Sequence, residues 1–265
     1  MHPVLLELGS LPIRSYGVAM ATAFLLGILV ARRRARAANI DPNLIIDLAF
    51  FIMIFSIAGA RAAYVAGRWD WFSQHLSHVP RIWDGGLVLY GGLVAGVVTG
   101  LVFFWRRGLD PWLGADIVAP SLALGVAIGR VGCFLNGCCF GKPCELPWAV
   151  TFPPGSYADD AFGRTAVHPT QIYASLAALV FFFVLLAVDR RKPFHGFLLS
   201  LFVVLLAAYR FLIDPLRHYE SMSFVARAGA FALTKNQAAG LGLIALSAGL
   251  MVYLSRRGRA RSTLP

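Results

Sequence analysis

Residues 113–139, LGADIVAPSLALGVAIGRVGCFLNGCC, combine a long apolar run with one arginine close to its end. An α-helix needs about 20 such residues to cross a bilayer, so we predict a membrane span at 113–136. A guanidinium stays protonated in proteins, and a charge inside a membrane is costly. Arg130 therefore needs an anion or a set of hydrogen-bond acceptors, and it is the first candidate for a functional residue.

Six further apolar runs accompany this one in the 265 residues, of which 58% are hydrophobic and 14% charged. We predict an all-α, polytopic membrane protein that forms a single domain over residues 1–265. The start of the chain has no basic region or cleavage site of a signal peptide, so its first run is read as a retained helix. The seven predicted spans are 15–31, 44–66, 86–105, 113–136, 170–188, 195–213 and 236–255.

The basic residues predict the orientation of these spans. Thirteen of the 24 Lys and Arg residues fall in the connections after spans one, three and five and in the C-terminal tail. Short basic loops are typical of the cytoplasmic side, which places the N-terminus outside and the C-terminus in the cytoplasm. The net charge of +11 is then explained by topology and by contact with anionic lipid, and we expect no nucleic-acid partner.

With this orientation, polar side chains of six spans converge at one depth. Arg61, Arg130 and Arg210 lie about 5–9 Å inside the outer ends of spans two, four and six, at 1.5 Å per residue. Spans one, three and five begin at the same depth with Tyr16, Tyr90 and the segment 168–173, His-Pro-Thr-Gln-Ile-Tyr. Tyrosines also form interfacial belts, and arginines near span ends can snorkel to water. The convergence favours an anion-binding site in the outer leaflet.

Span six contains a second charged pattern. Arg210, Asp214 and Arg217 share one helical face if the helix continues beyond residue 213, whereas Pro215 favours an end of the helix there. An Arg210–Asp214 pair would neutralise itself and leave the other arginines for a ligand.

Four cysteines lie within residues 133–144. Their two Cys-x4-Cys spacings are poor for one tetrahedral zinc site, whose ligands usually pair at shorter spacing, so we predict no metal site. Disulfides would fit an oxidising compartment, and burial as a small packing residue would equally fit Cys133. These two alternatives stay open.

The segment 129–137 resembles the signature of the prolipoprotein diacylglyceryl transferases, which are bacterial inner-membrane enzymes with seven helices. Other blocks resemble that family in the same order, namely Ser-Tyr-Gly at 15–17, Gly-Ala-Arg at 59–61, Trp-Asp-Gly-Gly at 83–86, His-Pro-Thr-Gln-Ile-Tyr at 168–173 and Tyr-Arg-Phe at 209–211. The resemblance implies transfer of the diacylglyceryl group of phosphatidylglycerol to the lipobox cysteine thiol of a preprolipoprotein signal peptide. A thioether forms, glycerol 1-phosphate leaves, and no cofactor is needed.

The resemblance also implies roles for individual residues. Arg130 and Arg210 would hold the phosphate or the glycerol headgroup, and Arg61 and Arg217 would support them. The remaining residues implied to line the substrate pocket are Tyr16, Asn136, Gly137, His168 and Gln171.

Several positions depart from the family pattern. Tyr90 stands where the family usually has a histidine proposed as the base, Cys133 where it has asparagine, and Cys138 where it has an acid. A phenol titrates near 10 and an imidazole near 6.5. Either Tyr90 only donates a hydrogen bond while another group, first of all Asp214, takes the thiol proton, or the protein serves another acceptor.

Two alternatives remain beside the transferase. One is a relative of the family that uses a different acceptor or has lost catalysis. The other is a transporter of an anionic solute, which would have polar residues at the middle of the bilayer that are reachable from both sides. The arginines of this chain all lie toward one face, which argues against the transporter.

Overall fold

The computed structural model describes residues 4–8, 11–219, 224–228 and 231–262, and most of them are helical. A β-hairpin, β1 and β2, leads into α1, and a second hairpin, β3 and β4, leads into α9. The elements are β1 (Val4–Leu8), β2 (Leu11–Arg14), α1 (Ser15–Ala37), α2 (Asn43–Ala66), α3 (Trp69–Phe72), α4 (Leu89–Arg106), α5 (Pro111–Leu135), α6 (Tyr157–Phe162), α7 (Thr170–Asp189), α8 (Phe197–Ile213), β3 (Phe224–Ala228), β4 (Phe231–Thr234) and α9 (Lys235–Ser262).

Seven of these helices, α1, α2, α4, α5, α7, α8 and α9, are long and apolar enough to cross a membrane. Each of the seven predicted spans coincides with one of them, so the prediction of an all-α protein with seven membrane helices is confirmed. The helices indicate a multi-pass membrane protein. The N-terminus-outside orientation stays a prediction.

The two hairpins were not predicted from the sequence, and their strands pair in the same pattern. Val4 pairs with Arg14 in the first and Phe224 with Thr234 in the second, and an irregularity follows that pair in both. Each second strand ends at the residue before a membrane helix. A two-stranded hairpin is only marginally stable without additional packing. The hydrogen bond from Thr234, the last residue of β4, to Asp214 therefore helps to hold the second hairpin in position.

The chain divides into two compact units, residues 1–30 with 118–265 and residues 31–117. We call them the first and the second unit and describe each separately. The core of the first unit contains Ala119 and Ala123 of α5, Leu185 of α7 and Leu198 and Phe202 of α8, all of them buried. Small residues on α5 leave space there for the large side chains of its two neighbours.

The segment between α5 and α7 forms a second, smaller core within the first unit. Phe140, Phe152, Ala158 and Val167 are buried together. The ring of His218, beyond the end of α8, stacks on Phe140 with centroids 5.6 Å apart. These contacts tie the exit of α5 to the exit of α8, and thereby position the loop that carries Cys138 and Cys139.

In the second unit, α2 and α4 pack closely because glycines face each other. A Cβ atom at Gly59 would lie 2.8 Å from the carbonyl oxygen of Gly91. Small residues at such crossings let helix backbones approach in a membrane.

Candidate active site

Arg130 lies half-buried in the last two turns of α5, as the sequence analysis predicted. No hydrogen bond or ion pair joins its side chain to another residue in the described part of the chain. Two residues later along this helix, Gly132 lets α1 approach, since a Cβ atom there would lie 2.8 Å from the Cβ of Ala19. The approach brings Tyr16 within electrostatic range of Arg130. The Arg130 guanidinium is therefore available to an external anion.

Arg210 is held by a relay of hydrogen bonds that the sequence analysis missed. Its Nη2 donates to the hydroxyl of Tyr219 at 3.0 Å, and that hydroxyl donates to Oδ1 of Asp214 at 2.8 Å. Burial, followed by the hydrogen bond to Asp214, raises the pKa of Tyr219. The expected direct Arg210–Asp214 pair is thus replaced by a bridge through a phenol, for which the linear spacing gave no signal.

The shared helical face of Arg210, Asp214 and Arg217 does not form. Helix α8 ends at Ile213, a 3-10 turn containing Pro215 follows, and Arg217 has an extended backbone with φ −81° and ψ 146°. Proline has no backbone N–H to donate within a helix, so the helical hydrogen-bond pattern breaks at Pro215 and the chain changes direction there.

Asp214 is almost completely enclosed, with 1% of its surface exposed. Besides Tyr219, its carboxylate accepts from Oγ1 of Thr234 at 2.7 Å. Thr234 and Gln237 exchange backbone-to-side-chain hydrogen bonds at 3.1 Å, which is a capping box at the start of α9. This environment suits a carboxylate that positions its neighbours. It does not suit the substitute base that the sequence analysis considered, because such a group must reach the acceptor thiol.

Arg217 and Tyr209 provide buried polar atoms without partners. Both Nε of Arg217 and the hydroxyl of Tyr209 are buried and form no hydrogen bond. Arg130, Arg210 and Arg217 all lie within electrostatic range of that hydroxyl. A buried polar atom left unpaired costs about 1–3 kcal/mol, and such atoms are uncommon in native structures. A ligand rich in acceptors would satisfy them.

The start of α7 holds the loop that follows α5. Thr170 Oγ1 donates to the carbonyl of Cys139, and Gln171 Nε2 donates to that of Cys138, both at 2.8 Å. Gln171 is fully buried, and its Oε1 has no partner. Both residues therefore shape the loop, and Gln171 keeps one acceptor for a ligand.

His168 lies just before α7 and is half-buried. Its Nδ1 is 3.4 Å from the hydroxyl of Tyr173, which in turn accepts from Nε1 of Trp148 at 2.7 Å. The structure thus places His168 in a polar chain on the first unit.

The sulfur atoms of Cys133, Cys138 and Cys139 all lie within 4.8 Å of one another. All four cysteines of the chain are free thiols. Along the chain the cysteines form two spaced pairs that are poor for zinc, whereas the fold gathers three thiols and leaves Cys144 outside the group. We call Cys133, Cys138 and Cys139 the thiol cluster.

Backbone turns produce the thiol cluster. Gly137 has φ +73° and Cys139 has φ +64°, and the latter is uncommon for a residue with a side chain. Hydrogen bonds from the Cys133 and Cys138 thiols, followed by the charges of Arg217 and Arg130, lower the pKa of Cys139. The amide of Asn136 interacts with Cys138. The loop therefore brings sulfur, amide and guanidinium groups together.

In the second unit, Arg61 is buried and satisfied by backbone. Its Nη1 and Nη2 each donate at 2.6 Å, to the carbonyls of Gly85 and His78, and its Nε donates to that of Val79 at 2.9 Å. A buried arginine needs either an anion or a set of hydrogen-bond acceptors, and Arg61 is surrounded by backbone acceptors. Tyr90 is the second residue of α4 and has 76% of its surface exposed, and its hydroxyl has no hydrogen bond to another described residue.

The family model described as prolipoprotein diacylglyceryl transferase matches residues 3–253. A protein of Thermosynechococcus vestitus named phosphatidylglycerol–prolipoprotein diacylglyceryl transferase is 38% identical over 214 residues, 80% of each chain. Relatives with the same name are 36% identical in Geobacillus kaustophilus, over 98% of this chain and 94% of that one, and 36% identical in Finegoldia magna, over 82% and 84%.

Proposed function

Because this chain belongs to the prolipoprotein diacylglyceryl transferase family, we propose that it transfers the diacylglyceryl group of phosphatidylglycerol to the lipobox cysteine of a prolipoprotein. In this reaction the acceptor sulfur attacks the glyceryl carbon that bears the phosphate. A carbon–sulfur bond forms, the carbon–oxygen bond breaks, and glycerol 1-phosphate leaves. The protein must therefore bind a phosphodiester and stabilise the charge that develops on the leaving phosphate.

One observation supports this assignment most directly. The side chain of Arg130 has no partner among the described residues, and it shares the surroundings of the Tyr209 hydroxyl with Arg210 and Arg217. We propose that the three guanidinium groups hold the phosphate. Arginine donors suit a phosphate in geometry and charge, and their attraction grows as the phosphodiester becomes a monoester with greater negative charge.

Other residues of the first unit would position this clamp and the headgroup. Asp214 and Tyr219 orient Arg210 through the hydrogen-bond relay, which makes them positioning residues. We propose that the free Oε1 of Gln171 accepts from a glycerol hydroxyl. The further residues proposed to line the pocket are Tyr16, Asn136, Gly137 and His168.

Arg61 and Tyr90 belong to the second unit, and we assign neither of them a step of the reaction. The carbonyl ligands of Arg61 account for its burial. We propose that the site faces the outer leaflet of a bacterial inner membrane, because basic residues concentrate at the opposite ends of the helices.

The test is transfer from headgroup-labelled phosphatidylglycerol to a lipobox peptide in membranes that contain this protein. We expect a thioether-linked diacylglyceryl peptide together with released glycerol 1-phosphate. A peptide with serine in place of the cysteine should remain unmodified, which controls for hydrolysis and other acceptors. Absence of product under conditions in which a relative from Geobacillus kaustophilus forms it would refute the proposal.

A further inference from the structure

We propose that the thiol cluster binds a zinc ion whose fourth position is open to the acceptor thiol. This inference rests on the proposed function, since it identifies how the acceptor sulfur is activated. It concerns Cys133, Cys138 and Cys139, which have no role in the proposed binding of the phosphate by the three arginines.

The number and spacing of the sulfur atoms fit such a site. Zinc–sulfur bonds of about 2.3 Å place the sulfurs of a tetrahedral site roughly 3.8 Å apart. The three sulfur atoms lie within 4.8 Å of one another, so small rotations of the side chains would close them on an ion. Structural zinc sites have four protein ligands, whereas catalytic sites have three and keep one position open. Three thiols follow the catalytic pattern.

Surrounding residues hold the donors in place. Thr170 and Gln171, both buried, bind the carbonyls of Cys139 and Cys138 at 2.8 Å. Cys139 keeps a left-handed backbone with φ +64°, and a residue with a side chain adopts this conformation stably only where its surroundings impose it. Polar groups that orient the ligands are a general feature of metal sites. The loop is therefore organised before any ion binds.

The local charges also favour a thiolate-rich ion. Three thiolates on Zn²⁺ carry one net negative charge, and a fourth thiolate would raise it to two. Arg130 and Arg217 both lie within electrostatic range of Cys139, and their positive charges compensate that excess. A buried negative centre without such cations would be strongly disfavoured.

The reaction needs an activating group in this position. The carboxylate of Asp214 is buried and already accepts from Tyr219 and Thr234, so it is not available to a thiol. A thiol that coordinates zinc loses its proton outright, and the thiolate is the nucleophilic form. Thiolate ligands are also among those that select zinc.

The step balances as follows. The acceptor thiol releases its proton to water as its sulfur binds the fourth position of the zinc. The sulfur then forms a bond to the glyceryl carbon, while the bond from that carbon to the phosphate oxygen breaks. The electron pair of the broken bond leaves on glycerol 1-phosphate beside Arg130. The product is a neutral thioether, a weaker ligand, which frees the position for the next acceptor.

The first experiment measures metal content in the full-length protein, purified in detergent with a thiol reductant. We expect about one zinc ion per chain, the stoichiometry of a mononuclear site. Cys133→Ser, Cys138→Ser and Cys139→Ser should each lose the ion. Cys144→Ser is the matched control, because that thiol lies outside the thiol cluster, and it should keep both zinc and activity.

The second experiment replaces zinc by Co²⁺ and follows the thiolate-to-cobalt absorption in the near ultraviolet. Adding a lipobox peptide should intensify this band, because a fourth thiolate joins the ion. The same peptide with serine in place of its cysteine should leave the band unchanged. An unchanged band with both peptides, despite product formation, would refute the open fourth position.

The third experiment removes the metal from the unaltered protein with a chelator, which separates loss of metal from loss of fold. We expect transfer to fall on the order of 100-fold, the lower end of what general-base assistance contributes, and to recover on adding zinc. Full transfer by a zinc-free protein would overturn the zinc site and leave the proposed function standing. Stoichiometric zinc without any transfer would overturn the proposed function and the role of the fourth position, and would leave only zinc binding by the thiol cluster. A disulfide in the thiol cluster, with no uptake of zinc after reduction, would also overturn the zinc site.

Discussion

Arg61 and Arg130 occupy similar places in the sequence and different places in the folded protein. Each lies one or two turns inside the end of an apolar helix, next to glycine or alanine. Arg61 is 7% exposed and donates to the carbonyls of His78, Val79 and Gly85. Arg130 is half-buried and has no such partner in the described chain. A buried arginine in a membrane helix is therefore not by itself evidence of a ligand site.

The difference follows from what lies next to each helix end. Beyond α2, the chain forms short turns whose carbonyls point at the guanidinium of Arg61. Beyond α5, the corresponding carbonyls of Cys138 and Cys139 are occupied by Thr170 and Gln171. Arg130 is consequently left with electrostatic neighbours only. The contrast separates an arginine that builds the protein from one that is available to a substrate.

The largest expected effect is on catalysis. Arg130→Ala should lower transfer by about 10³-fold or more, the scale found for arginines that stabilise phosphoryl charge, with the free energy of unfolding almost unchanged. Rates of peptide modification and thermal unfolding in detergent would measure the two quantities. Arg106→Ala, an exposed arginine at the end of α4, is the control for loss of positive charge. Near-normal transfer by the Arg130 variant would contradict the clamp.

Arg61→Ala should have the opposite profile. It removes at least three hydrogen bonds from a charged donor to the carbonyls of His78, Val79 and Gly85, and at about 1 kcal/mol or more each the free energy of unfolding should fall by roughly 3 kcal/mol or more. The fraction of protein that remains folded should transfer at close to the normal rate. Unfolding of purified protein, compared with specific activity per folded molecule, measures this. A stable but inactive variant would mean that Arg61 acts on the substrate, and would contradict the contrast between a structural Arg61 and a substrate-binding Arg130.

Two glycines of α5 test how closely α1 must approach Arg130. A Cβ at Gly132 would lie 2.8 Å from the Cβ of Ala19, whereas one at Gly125 would meet nothing within 4 Å. Gly132→Ala should therefore lower the free energy of unfolding by about 1–3 kcal/mol, and Gly125→Ala should raise it by about 0.5–1 kcal/mol. Thermal unfolding of both variants gives the measurement. Equal effects would show that the crossing is not tight.

The smallest effect concerns pH and the relay that holds Arg210. The raised pKa of Tyr219 means that the unfolded chain releases this proton first as pH rises. Stability contributed by the phenol is therefore fully present below about pH 10, the usual tyrosine value, and is lost as pH rises through the folded pKa. Tyr219→Phe should reduce stability by about 1 kcal/mol at neutral pH and flatten the decline above pH 10. Tyr157→Phe, in an exposed tyrosine, should match the unaltered protein, and an equally steep decline in both variants would contradict the relay.

Hydropathy and residue spacing were sufficient to predict the helical part of this architecture. Seven apolar runs must be helices because a backbone in lipid has to satisfy its hydrogen bonds within its own segment, and the structure has seven such helices. The two hairpins escaped prediction, since strands of four or five residues carry little periodic signal. The division of the chain into two units likewise depends on packing that spacing does not encode.

The arginines of the candidate site could be predicted from the sequence, whereas the side chains that contact them could not. Arg130 and Arg210 stood out because a charge in an apolar run needs an explanation, and Arg217 stood out through its spacing from Arg210 and Asp214. Tyr219, which joins Arg210 to Asp214, carried no comparable signal. Tyr209, whose hydroxyl is within electrostatic range of the three arginines, was noticed only as part of the Tyr-Arg-Phe block at 209–211. Tyrosine near a membrane surface is common, and a hydrogen bond between distant segments leaves no trace in linear spacing.

The sequence by itself determined that this protein has seven apolar helices and arginines that must find partners, because membrane burial constrains backbone and charge residue by residue. Only the tertiary structure decided which partners they find. It gave Arg61 a ring of carbonyls, placed a phenol between Arg210 and Asp214, and gathered three thiols that chain order had separated into poor pairs. Those outcomes depend on directions of turns and contacts between remote segments, which are properties of the packed chain.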